Sequence, residues 1–362
     1  TIQNCATDVC LENELTVTSD FDFNNLNGDC GFTGDILVTY TLSDECGNDI
    51  TRTATLTIID ETAPVVTCDA DDFTFECAGL SGNEARAIQW NNDNIAKLDA
   101  CATDACAPVE DVVVTSNFDF TQLTDECGYT GSLDVIYTVS DPCGNDTTIT
   151  ATFTIIDTTD PTVACDPQDE IHECTGAEGN AFVALSWDGA NLTALRNCST
   201  DECGGVEVTS NFDYANLVGD CGLTGSITVT YTITDECGNF IIRTADLTIR
   251  DETPPTVDCD PDSEQIECLG AEENKTAATN WNNANIAKLE GCSEDACGTI
   301  TVTSDFDYDN NFNIVCGFSG GINVTYTITD ECGNEEICQF TITVEENPAT
   351  LNVDFCPPDL TV

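Results

Sequence analysis

The chain has 362 residues, with eight Lys or Arg against 67 Asp or Glu, which gives a formal net charge of −59 at pH 7. A charge this negative excludes nucleic acid and anionic membranes as direct partners. The 24 Cys and single His favour disulfides in an oxidising, extracellular location. A cytosolic zinc array is the alternative, but the Cys-x₄-Cys spacing of Cys101 and Cys106 is not the usual Cys-x₂-Cys.

The sequence is internally repetitive. Equivalent cysteines at positions 5, 101, 198 and 292 lie 96, 97 and 94 residues apart. That period is the size of one sandwich module with a small core of its own. We therefore predict an incomplete module at 1–60, which lacks the first strand and the helix, complete modules at 61–157, 158–251 and 252–346, and at 347–362 a linker with the first strand of a following module.

Each repeat contains a predicted β-hairpin. Apolar and polar residues alternate before its turn, which indicates a half-buried strand. The inward residues of this strand in the third and fourth repeats are Ile227, Val229, Tyr231 and Ile233, then Ile322, Val324, Tyr326 and Ile328. The following Asp-x-Cys-Gly-Asn is a predicted turn, because Gly and Asn tolerate positive φ. The inward pairs of the second strand are Leu56 and Ile58, Phe153 and Ile155, Leu247 and Ile249, Ile342 and Val344.

A segment without β-alternation precedes the hairpin in the second, third and fourth repeats. In the second repeat it spans 83–100, and its apolar residues suit one or two short helices. Trp90, Trp187 and Trp281 each lie 11 residues before the next Cys. Because apolar helical residues flank them, we predict that they are core residues. An exposed platform for carbohydrate is the alternative.

Six motifs recur in a fixed order along the chain. In the second repeat they are the linker Asp60-Glu-Thr-Ala-Pro64, Glu76-Cys77, a Trp with Asn nearby, Thr-Asp-x-Cys, the segment 125–131 (Asp-x-Cys-Gly-x-Thr-Gly) and Asp-x-Cys-Gly-Asn. This order resembles the HYR-like repeats of large Bacteroidota surface proteins, including gliding and adhesion filaments exported by type IX secretion. The resemblance covers almost the whole chain. It implies a mainly β chain of tandem immunoglobulin-like β-sandwich modules, each with a short helical insertion, in a linear rod at the cell surface.

The predicted topology places cysteines at two ends of each module. The Cys-x₄-Cys loop and the hairpin tip lie at the upper end, so we expect the bonds Cys10–Cys46, Cys106–Cys143, Cys203–Cys237 and Cys297–Cys332. Cys127 lies a full strand away from Cys143, which is too far for a disulfide, and is expected to pair with Cys77 at the lower end. Cys68 and Cys101 depart from the family pattern and are expected to pair with each other. Cys338 has no predicted partner.

Carboxylates converge at each predicted upper end. At the first junction, Asp104 and Asp141 are expected beside Asp60 and Glu61. The later junctions repeat the cluster with Asp157, Asp160, Asp201 and Asp235, then Asp251, Glu252, Asp295 and Asp330. Carboxylate oxygens without imidazole or thiolate ligands are what Ca²⁺ prefers, so we predict calcium sites. Solvated loop acids are the alternative.

No catalytic or organic-cofactor site is predicted, because the chain has no nucleophile elbow, phosphate-binding loop or dinucleotide fingerprint. We expect a structural, non-enzymatic segment of an extracellular filament or adhesin stalk, stapled by disulfides and stiffened by calcium. The alternatives are glycan-binding adhesin modules and the non-catalytic stalk of a secreted hydrolase. The expected partner is the chain itself, head to tail in a fibre or in a continuous chain, with surface glycans as a further candidate.

The two ends of the chain are complementary in sequence. Residues 355–362 align with Cys68–Phe75, the first strand that residues 1–60 lack. We expect either a window of a longer polypeptide or a subunit whose residues 351–362 complete a neighbour's first module by β-augmentation. In both cases Cys356 should pair with a Cys5 equivalent outside its own copy of the chain.

Overall fold

The protein has a mainly β fold of tandem sandwich repeats. A computed structural model describes residues 5–7, 15–260 and 262–346, without the side chain of Cys316. The expected strand at 351–362 and the expected Cys10–Cys46 bond lie outside the described residues. The described chain forms two compact units. The first takes its residues from Thr1–Pro161, Thr200–Val206 and Thr234–Asn239, and the second from Thr162–Ser199, Glu207–Ile233 and Phe240–Val362.

The first repeat has an open sheet. Its strands are β1 (Thr16–Ser19), β2 (Asn27–Gly28), β3 (Gly34–Ser43) and β4 (Asp49–Ile58). Strand β3 pairs with the other three, and its hairpin with β4 runs from Gly34 opposite Ile58 to Ser43 opposite Asp49. Leu56 was expected to point inward but is 44% exposed, because the described part of this repeat contains no long helix and no parallel strand to cover β4.

The second repeat has two strand ladders and a helix. Its elements are β5 (Val65–Val66), β6 (Phe73–Glu76), α1 (Gly79–Cys101), β7 (Ala102–Thr103), β8 (Val113–Ser116), β9 (Thr124–Asp125), β10 (Gly131–Ser140) and β11 (Asp146–Ile156). The main sheet has the order β6-β11-β10-β8, with β9 beside β10, and β5 pairs with β7. Strand β6 runs parallel to β11, so that Phe73 lies opposite Phe153.

The third repeat has the same topology. Its elements are β12 (Thr162–Val163), β13 (Glu170–Glu173), α2 (Ala177–Cys198), β14 (Ser199–Thr200), β15 (Val206–Ser210), β16 (Val218–Gly219), β17 (Gly225–Asp235) and β18 (Phe240–Arg250). The sheet order is β13-β18-β17-β15, with β16 on β17. The predicted inward face of the hairpin is confirmed, since Val229, Tyr231 and Ile233 are fully buried.

The fourth repeat adds a short helix and a bulge. Its elements are β19 (Thr256–Val257), β20 (Glu264–Glu267), α3 (Ala271–Cys292), β21 (Ser293–Glu294), β22 (Ile300–Ser304), α4 (Tyr308–Asn311), β23 (Asn313–Cys316), β24 (Ser319–Asp330) and β25 (Glu335–Glu345). The sheet order β20-β25-β24-β22, with β23 on β24, matches the two preceding repeats. The register of β23 shifts between Ile314 and Cys316.

The long helix of each repeat is a single element, whereas the sequence predicted one or two short helices. Helix α1 has 23 residues. Its buried positions recur every three or four residues and include as many Asn as apolar side chains: Asn83, Ala87, Trp90, Asn91, Asn94 and Leu98. Apolar periodicity alone therefore underestimated the helix. Single-turn 3-10 helices also occur at Phe23–Asn25, Val109–Asp111, Phe120–Gln122 and Tyr214–Asn216.

The core lies between the long helix and the main sheet. Trp90 packs on Phe153, with 5.2 Å between ring centroids, and meets Tyr137 edge-on. Its Nε1 donates a hydrogen bond of 2.7 Å to the carbonyl oxygen of Asp71. Only 6% of Trp90 is exposed, and Trp187 and Trp281 are each 5% exposed. The prediction that these residues belong to the core is therefore confirmed, which removes them as a carbohydrate platform.

Most of the predicted disulfides are wrong. Four predicted pairs, which joined two cysteines at the same end of one repeat, are replaced by bonds from the lower end of one repeat to the upper end of the next. The observed bonds are Cys30–Cys143, Cys77–Cys203, Cys127–Cys237, Cys174–Cys297 and Cys221–Cys332. The predictions Cys106–Cys143, Cys203–Cys237, Cys297–Cys332 and Cys77–Cys127 failed because they treated each repeat as isolated. The short linker instead brings successive repeats into contact.

The disulfide between Cys68 and Cys101, within one repeat, was predicted correctly. Cys68 bonds to Cys101, and the same bond recurs as Cys165–Cys198 and Cys259–Cys292. It ties the strand after the linker to the end of the long helix. Among the described residues the free thiols are Cys5, Cys46, Cys106, Cys268 and Cys338.

Candidate functional site at the repeat junctions

The hairpin tip at each junction is shaped by a buried aspartate. Asp141 is 5% exposed, and its two carboxylate oxygens accept hydrogen bonds of 2.9 and 2.8 Å from the backbone N and Nδ2 of Asn145. Gly144 adopts a φ of +89° within this turn, a conformation that glycine tolerates best. Burial raises the pKa of Asp141, but the hydrogen bonds from Asn145, Cys143 and Gly144 outweigh it and lower the pKa overall.

The same geometry recurs at the two later hairpin tips. Asp235 and Asp330 accept from the N and Nδ2 of Asn239 and Asn334 at distances between 2.8 and 3.0 Å. Each of these Asn side chains also bonds to the linker. Asn145 Nδ2 donates to the carbonyl oxygen of Asp60 over 3.3 Å. At the later tips, Asn239 and Asn334 donate in the same way to the carbonyl oxygens of Asp157 and Asp251. The turn motif therefore fixes the linker aspartate beside the tip.

The linker aspartates are short of partners. Oδ1 of Asp60 accepts from Thr62, as Oδ1 of Asp251 does from Thr253. The Oδ2 atoms of Asp60 and Asp251 are buried and accept no hydrogen bond from any described residue. A buried carboxylate oxygen without a donor is costly unless a cation or water lies beside it.

A third aspartate approaches from the loop that follows the long helix. Asp104, Asp201 and Asp295 each accept a 2.7 Å hydrogen bond from the backbone N of the cysteine two residues later in the chain. Carboxylate oxygens of Asp157 and Asp201 lie within 4.8 Å of each other, and the same holds for Asp251 with Asp295 and for Asp60 with Asp141. The neighbouring sulfurs of Cys143, Cys203 and Cys297 are in disulfides, so they offer no thiolate ligand.

The electrostatics show that the other aspartates of the second and third junctions act on the linker aspartate. Burial is the largest effect on Asp157, and together with the charges of Asp201, Asp235 and Glu76 it raises the pKa of that carboxyl. Burial, with the charges of Asp295, Asp330 and Glu173, raises the pKa of Asp251 in the same way. Each junction therefore concentrates negative charge that no described Lys or Arg neutralises at its centre.

Nine of the twelve sequence-predicted acids lie in these clusters: Asp60, Asp104 and Asp141, then Asp157, Asp201 and Asp235, then Asp251, Asp295 and Asp330. The other three are exposed and lie outside the clusters: Glu61, Asp160 and Glu252. Glu252 instead forms an ion pair of 3.1 Å with Arg250. These three were proposed because they lie in the linker close to its Asp in sequence, and proximity in sequence did not bring their side chains into the clusters.

Sequence reasoning missed a glutamate that recurs in successive repeats and contacts the following linker. Glu76 accepts hydrogen bonds from the backbone N of Thr158 (2.6 Å) and from the hydroxyl of Thr159 (2.9 Å). Glu173 does the same for Glu252 and Thr253 of the next linker. These hydrogen bonds lower the pKa of both glutamates. The signal was present in the recurring Glu-Cys dipeptide, which the sequence analysis used only as one of the repeated motifs.

A glycine at the lower end permits close contact with the next repeat. Tyr129 N donates to the carbonyl oxygen of Cys203 over 2.8 Å. A Cβ on the preceding Gly128 would overlap that oxygen. Gly31 against Cys106, and Gly222 against Cys297, repeat the arrangement. The Cys-Gly of the lower loop is therefore a contact motif, and its glycine is required by the neighbouring backbone and by a positive φ.

Comparison with known proteins gives two relatives of this chain. It is 29% identical over 347 residues to Hyalin from Strongylocentrotus purpuratus, a match that covers 93% of this chain and 25% of that protein. It is 26% identical over 337 residues to Hyalin from Lytechinus variegatus, covering 90% of this chain and 56% of the relative. The chain thus spans between a quarter and about half of these relatives. No family model matches it.

The relatives support the HYR-like repeat type but not an origin in Bacteroidota or export by type IX secretion. Among solved structures, protocadherin gamma B2 extracellular cadherin domains 1–5 match with a TM-score of 0.26 and 10% identity, covering 92% of this chain and 72% of that one. The human desmocollin-1 ectodomain matches with a TM-score of 0.21 and 10% identity, covering 86% and 68%. We draw no conclusion about this chain from TM-scores this low.

The location of the chain follows from its covalent chemistry. Its described residues hold eight disulfides: three within repeats and five between repeats. Such bonds persist in oxidising compartments, so the protein is extracellular or displayed at the cell surface. No described helix has the length and apolar character that crossing a bilayer requires.

Proposed function

We propose that the chain is a structural, non-enzymatic segment of an extracellular filament or adhesin stalk whose repeat junctions bind calcium. The observation that carries the proposal is the recurrence of the same junction. Carboxylates from two separate segments lie within 4.8 Å of each other at every junction, and a third acts on the linker aspartate at the second and third junctions. Two inter-repeat disulfides lie beside the cluster at the second and third junctions, and the Cys30–Cys143 bond lies beside it at the first. A catalytic site needs to occur once, whereas a load-bearing joint recurs with the repeats.

The donor set supports calcium as the cation. Asp60 and Asp251 each present a buried oxygen with no protein donor, and a second carboxylate lies within 4.8 Å of each. All the available donors are oxygens, as a hard cation prefers. At the first junction the linker Asp60 and the hairpin Asp141 would hold the ion. At the later junctions the linker aspartates would hold it together with Asp201 or Asp295 of the loop that follows the long helix. Bound calcium would neutralise the repulsion between these groups and fix the linker against the hairpin tip.

The finer parts of the proposal rest on the sequence. The module boundaries at 60, 157, 251 and 346 follow the linker motif. An origin in a Bacteroidota surface protein exported by type IX secretion is supported by the motif resemblance alone. Self-association head to tail is supported by the complementary ends of the sequence.

Calcium titration of the complete 362-residue chain tests the proposal. Isothermal calorimetry or equilibrium dialysis should detect three sites, one for each described junction. The double variant Asp251→Asn with Asp295→Asn should lose one of them. The matched control Glu272→Gln with Glu273→Gln removes the same charge from exposed positions in the first turn of the long helix of the same repeat and should keep all three.

Two results would contradict calcium binding at the junctions. The first is the absence of saturable binding to the oxidised chain. The second is an equal loss of binding in the junction variant and in its control, which would show that calcium responds only to the total negative charge of the protein.

A further inference from the structure

Helix α2 of the third repeat exposes two large apolar side chains. Phe182 is 71% exposed and Leu185 is 62% exposed. They lie three residues apart, so they are neighbours on one face of the helix. This face points away from the core, which holds Trp187 and Leu195 of the same helix. Within the described chain both side chains remain in contact with solvent.

The other two long helices show that this face belongs to the third repeat alone among the three. All three helices bury equivalent residues, including Trp90, Trp187 and Trp281. When these tryptophans are aligned, the counterparts of Phe182 and Leu185 are Ala85 and Ile88 in α1, and Thr276 and Thr279 in α3. The fourth repeat therefore has the same fold with Thr at both positions, so the packing of the helix on its own sheet does not explain the two apolar side chains.

The exposed face of α2 continues along the helix with the spacing of a coiled-coil seam. Exposed or half-buried residues recur at alternating intervals of four and three positions, and we call them the α2 seam: Glu178, Phe182, Leu185, Gly189, Leu192 and Arg196. At 3.6 residues per turn, all six stay within about 40° of one line along the helix. This alternation is the pattern with which two helices pack against each other.

The two ends of the α2 seam carry opposite charges. Glu178 lies in the first turn of α2 and Arg196 in the last turn, and both are exposed. Arg196 Nη2 donates to the carbonyl oxygen of Val208 over 3.0 Å, which uses one of its five N–H donors. A second α2 laid in the opposite direction would place a Glu opposite an Arg at each end. Helix α3 has Glu272 and Glu290 at these positions, so two copies of it would bring carboxylates together.

The middle of the α2 seam also fits a reversed copy of itself. A two-fold axis at the level of Trp187 places Leu185 opposite Gly189 of the second copy, where there is no side chain. The same axis places Phe182 opposite Leu192. Large side chains therefore meet a gap or another apolar residue at the register that pairs the charged ends. A contact in which one patch serves both partners is the form that a two-fold symmetric dimer takes.

We propose that helix α2 is a lateral contact site, which binds α2 of a second copy of this chain in antiparallel orientation. The seam favours a second copy because its complement is the seam itself, and neither of the other described long helices carries it. The inference goes beyond the proposed function, since a junction joins consecutive repeats whereas this contact joins separate copies. One helix pair is a small contact, so it gains strength where many copies are held together in a fibre.

Sedimentation equilibrium of the complete, oxidised 362-residue chain tests the contact at about 0.15 M salt, where exposed charges are screened beyond about 8 Å. We expect a reversible dimer at high concentration. Gly189→Lys should weaken it about tenfold, because the lysine fills the gap that Leu185 of the second copy needs. In its own chain a Cβ on Gly189 meets nothing within 4 Å, and the added positive charge lowers the net repulsion between copies.

The matched control is Gly291→Lys in helix α3. Gly291 is also an exposed helical glycine with open space around its Cβ position, so this variant makes the same change in charge and should keep the dimer. Thermal unfolding followed by circular dichroism checks that both variants retain the fold of their repeats.

Charge reversal tests the antiparallel direction. Glu178→Arg should weaken the dimer about three- to tenfold, because it places like charges opposite each other at both ends. Arg196→Glu should do the same. An equimolar mixture of the two variants should associate as well as the unmodified chain, since each end pair again joins opposite charges. In a parallel pair the unmodified ends would already repel, and Glu178→Arg would not weaken association.

Four outcomes would overturn the inference. The chain stays monomeric at every concentration; or Gly189→Lys leaves the dimer unchanged, which would place the contact elsewhere. The third is an equal loss of association in Gly189→Lys and Gly291→Lys, which would show a response to charge alone. The fourth is a dimer that Gly189→Lys weakens but Glu178→Arg does not, which would contradict the antiparallel arrangement.

Discussion

Cys77 and Cys203 are bonded although 126 residues separate them, and they belong to successive repeats. With Cys127–Cys237 this bond spans the same junction as the linker at Asp157. Tension applied along the chain at this junction is therefore carried by two covalent bridges in parallel with the linker. A junction built in this way suits a fibre more than a hinge.

The first prediction concerns the inter-repeat bridges. Replacing both Cys127 and Cys237 with Ser should lower the free energy of unfolding of the joined repeats by about 2–4 kcal/mol, because the unfolded chain gains loop freedom. Differential scanning calorimetry should show an earlier transition. The control Cys46→Ser changes an exposed free thiol and should alter stability by less than about 0.5 kcal/mol. Equal effects in both would show that the bridge does not stabilise the contact.

The second prediction concerns the lower-loop glycine. Gly128→Ala should leave Cys77 and Cys203 unpaired after oxidative refolding, because the new Cβ overlaps the Cys203 carbonyl oxygen. Mass spectrometry after alkylation counts the unpaired thiols. Gly144→Ala has the higher φ of +89° but open space around it, so it should cost only the local strain of about 1 kcal/mol and keep every disulfide. Complete pairing in Gly128→Ala would contradict the close contact.

The third prediction concerns the buried asparagine. Asn83→Ala leaves Ala78 N and the carbonyl oxygen of Tyr129 without their partner and should destabilise the second repeat by about 2–4 kcal/mol. Thermal unfolding followed by Trp fluorescence measures this. Asn83→Asp keeps the acceptor for Ala78 but loses both donated bonds and places a charge in a buried site, so it should be no more stable than Ala. A neutral effect of both would show that Asn83 is not needed to hold Cys77 beside the loop that contains Tyr129.

The fourth prediction concerns the Trp that joins helix to sheet. Trp90→Ala should destabilise its repeat by about 3–5 kcal/mol through the cavity that it leaves. Trp90→Phe should cost less, since it keeps much of the contact with Phe153 and loses mainly the Nε1 bond to Asp71. Chemical denaturation followed by circular dichroism distinguishes them, and the reverse order of stability would contradict the packing described here.

The fifth prediction revises the expected response to calcium removal. The sequence predicted a segment stiffened by calcium, which implies that chelation would loosen the junctions. Because the disulfides cross the junctions, chelation of the oxidised chain should leave its maximum dimension unchanged, and the dimension should change only when chelator and reductant act together. X-ray scattering in the four combinations tests this. A large change with chelator alone would mean that calcium, and not the disulfides, fixes the junction.

Local sequence determined much of the fold of this chain. The alternation that ends in Tyr231 and Ile233 predicted the hairpin, its turn and the face of the strand that is buried, because a period of two dictates which side chains share a face. Cys68–Cys101 was likewise predictable, since both ends belong to one repeat. The buried Asn83, Asn91 and Asn94 hid the length of the helix, because their burial depends on partners that only the folded repeat provides.

The sequence by itself determined that the chain is extracellular, repetitive and acidic, and that aspartates gather at each linker. Only the tertiary structure decided which cysteines meet across the junctions between repeats. Equivalent residues in different repeats, such as Cys143 and Cys237, have almost the same local sequence, so no local pattern distinguishes a partner within a repeat from one in the next. The choice is made by the contact between repeats, where Gly128 lets the backbone of Cys203 approach closely enough to accept a hydrogen bond and fixes the bonded sulfurs beside it.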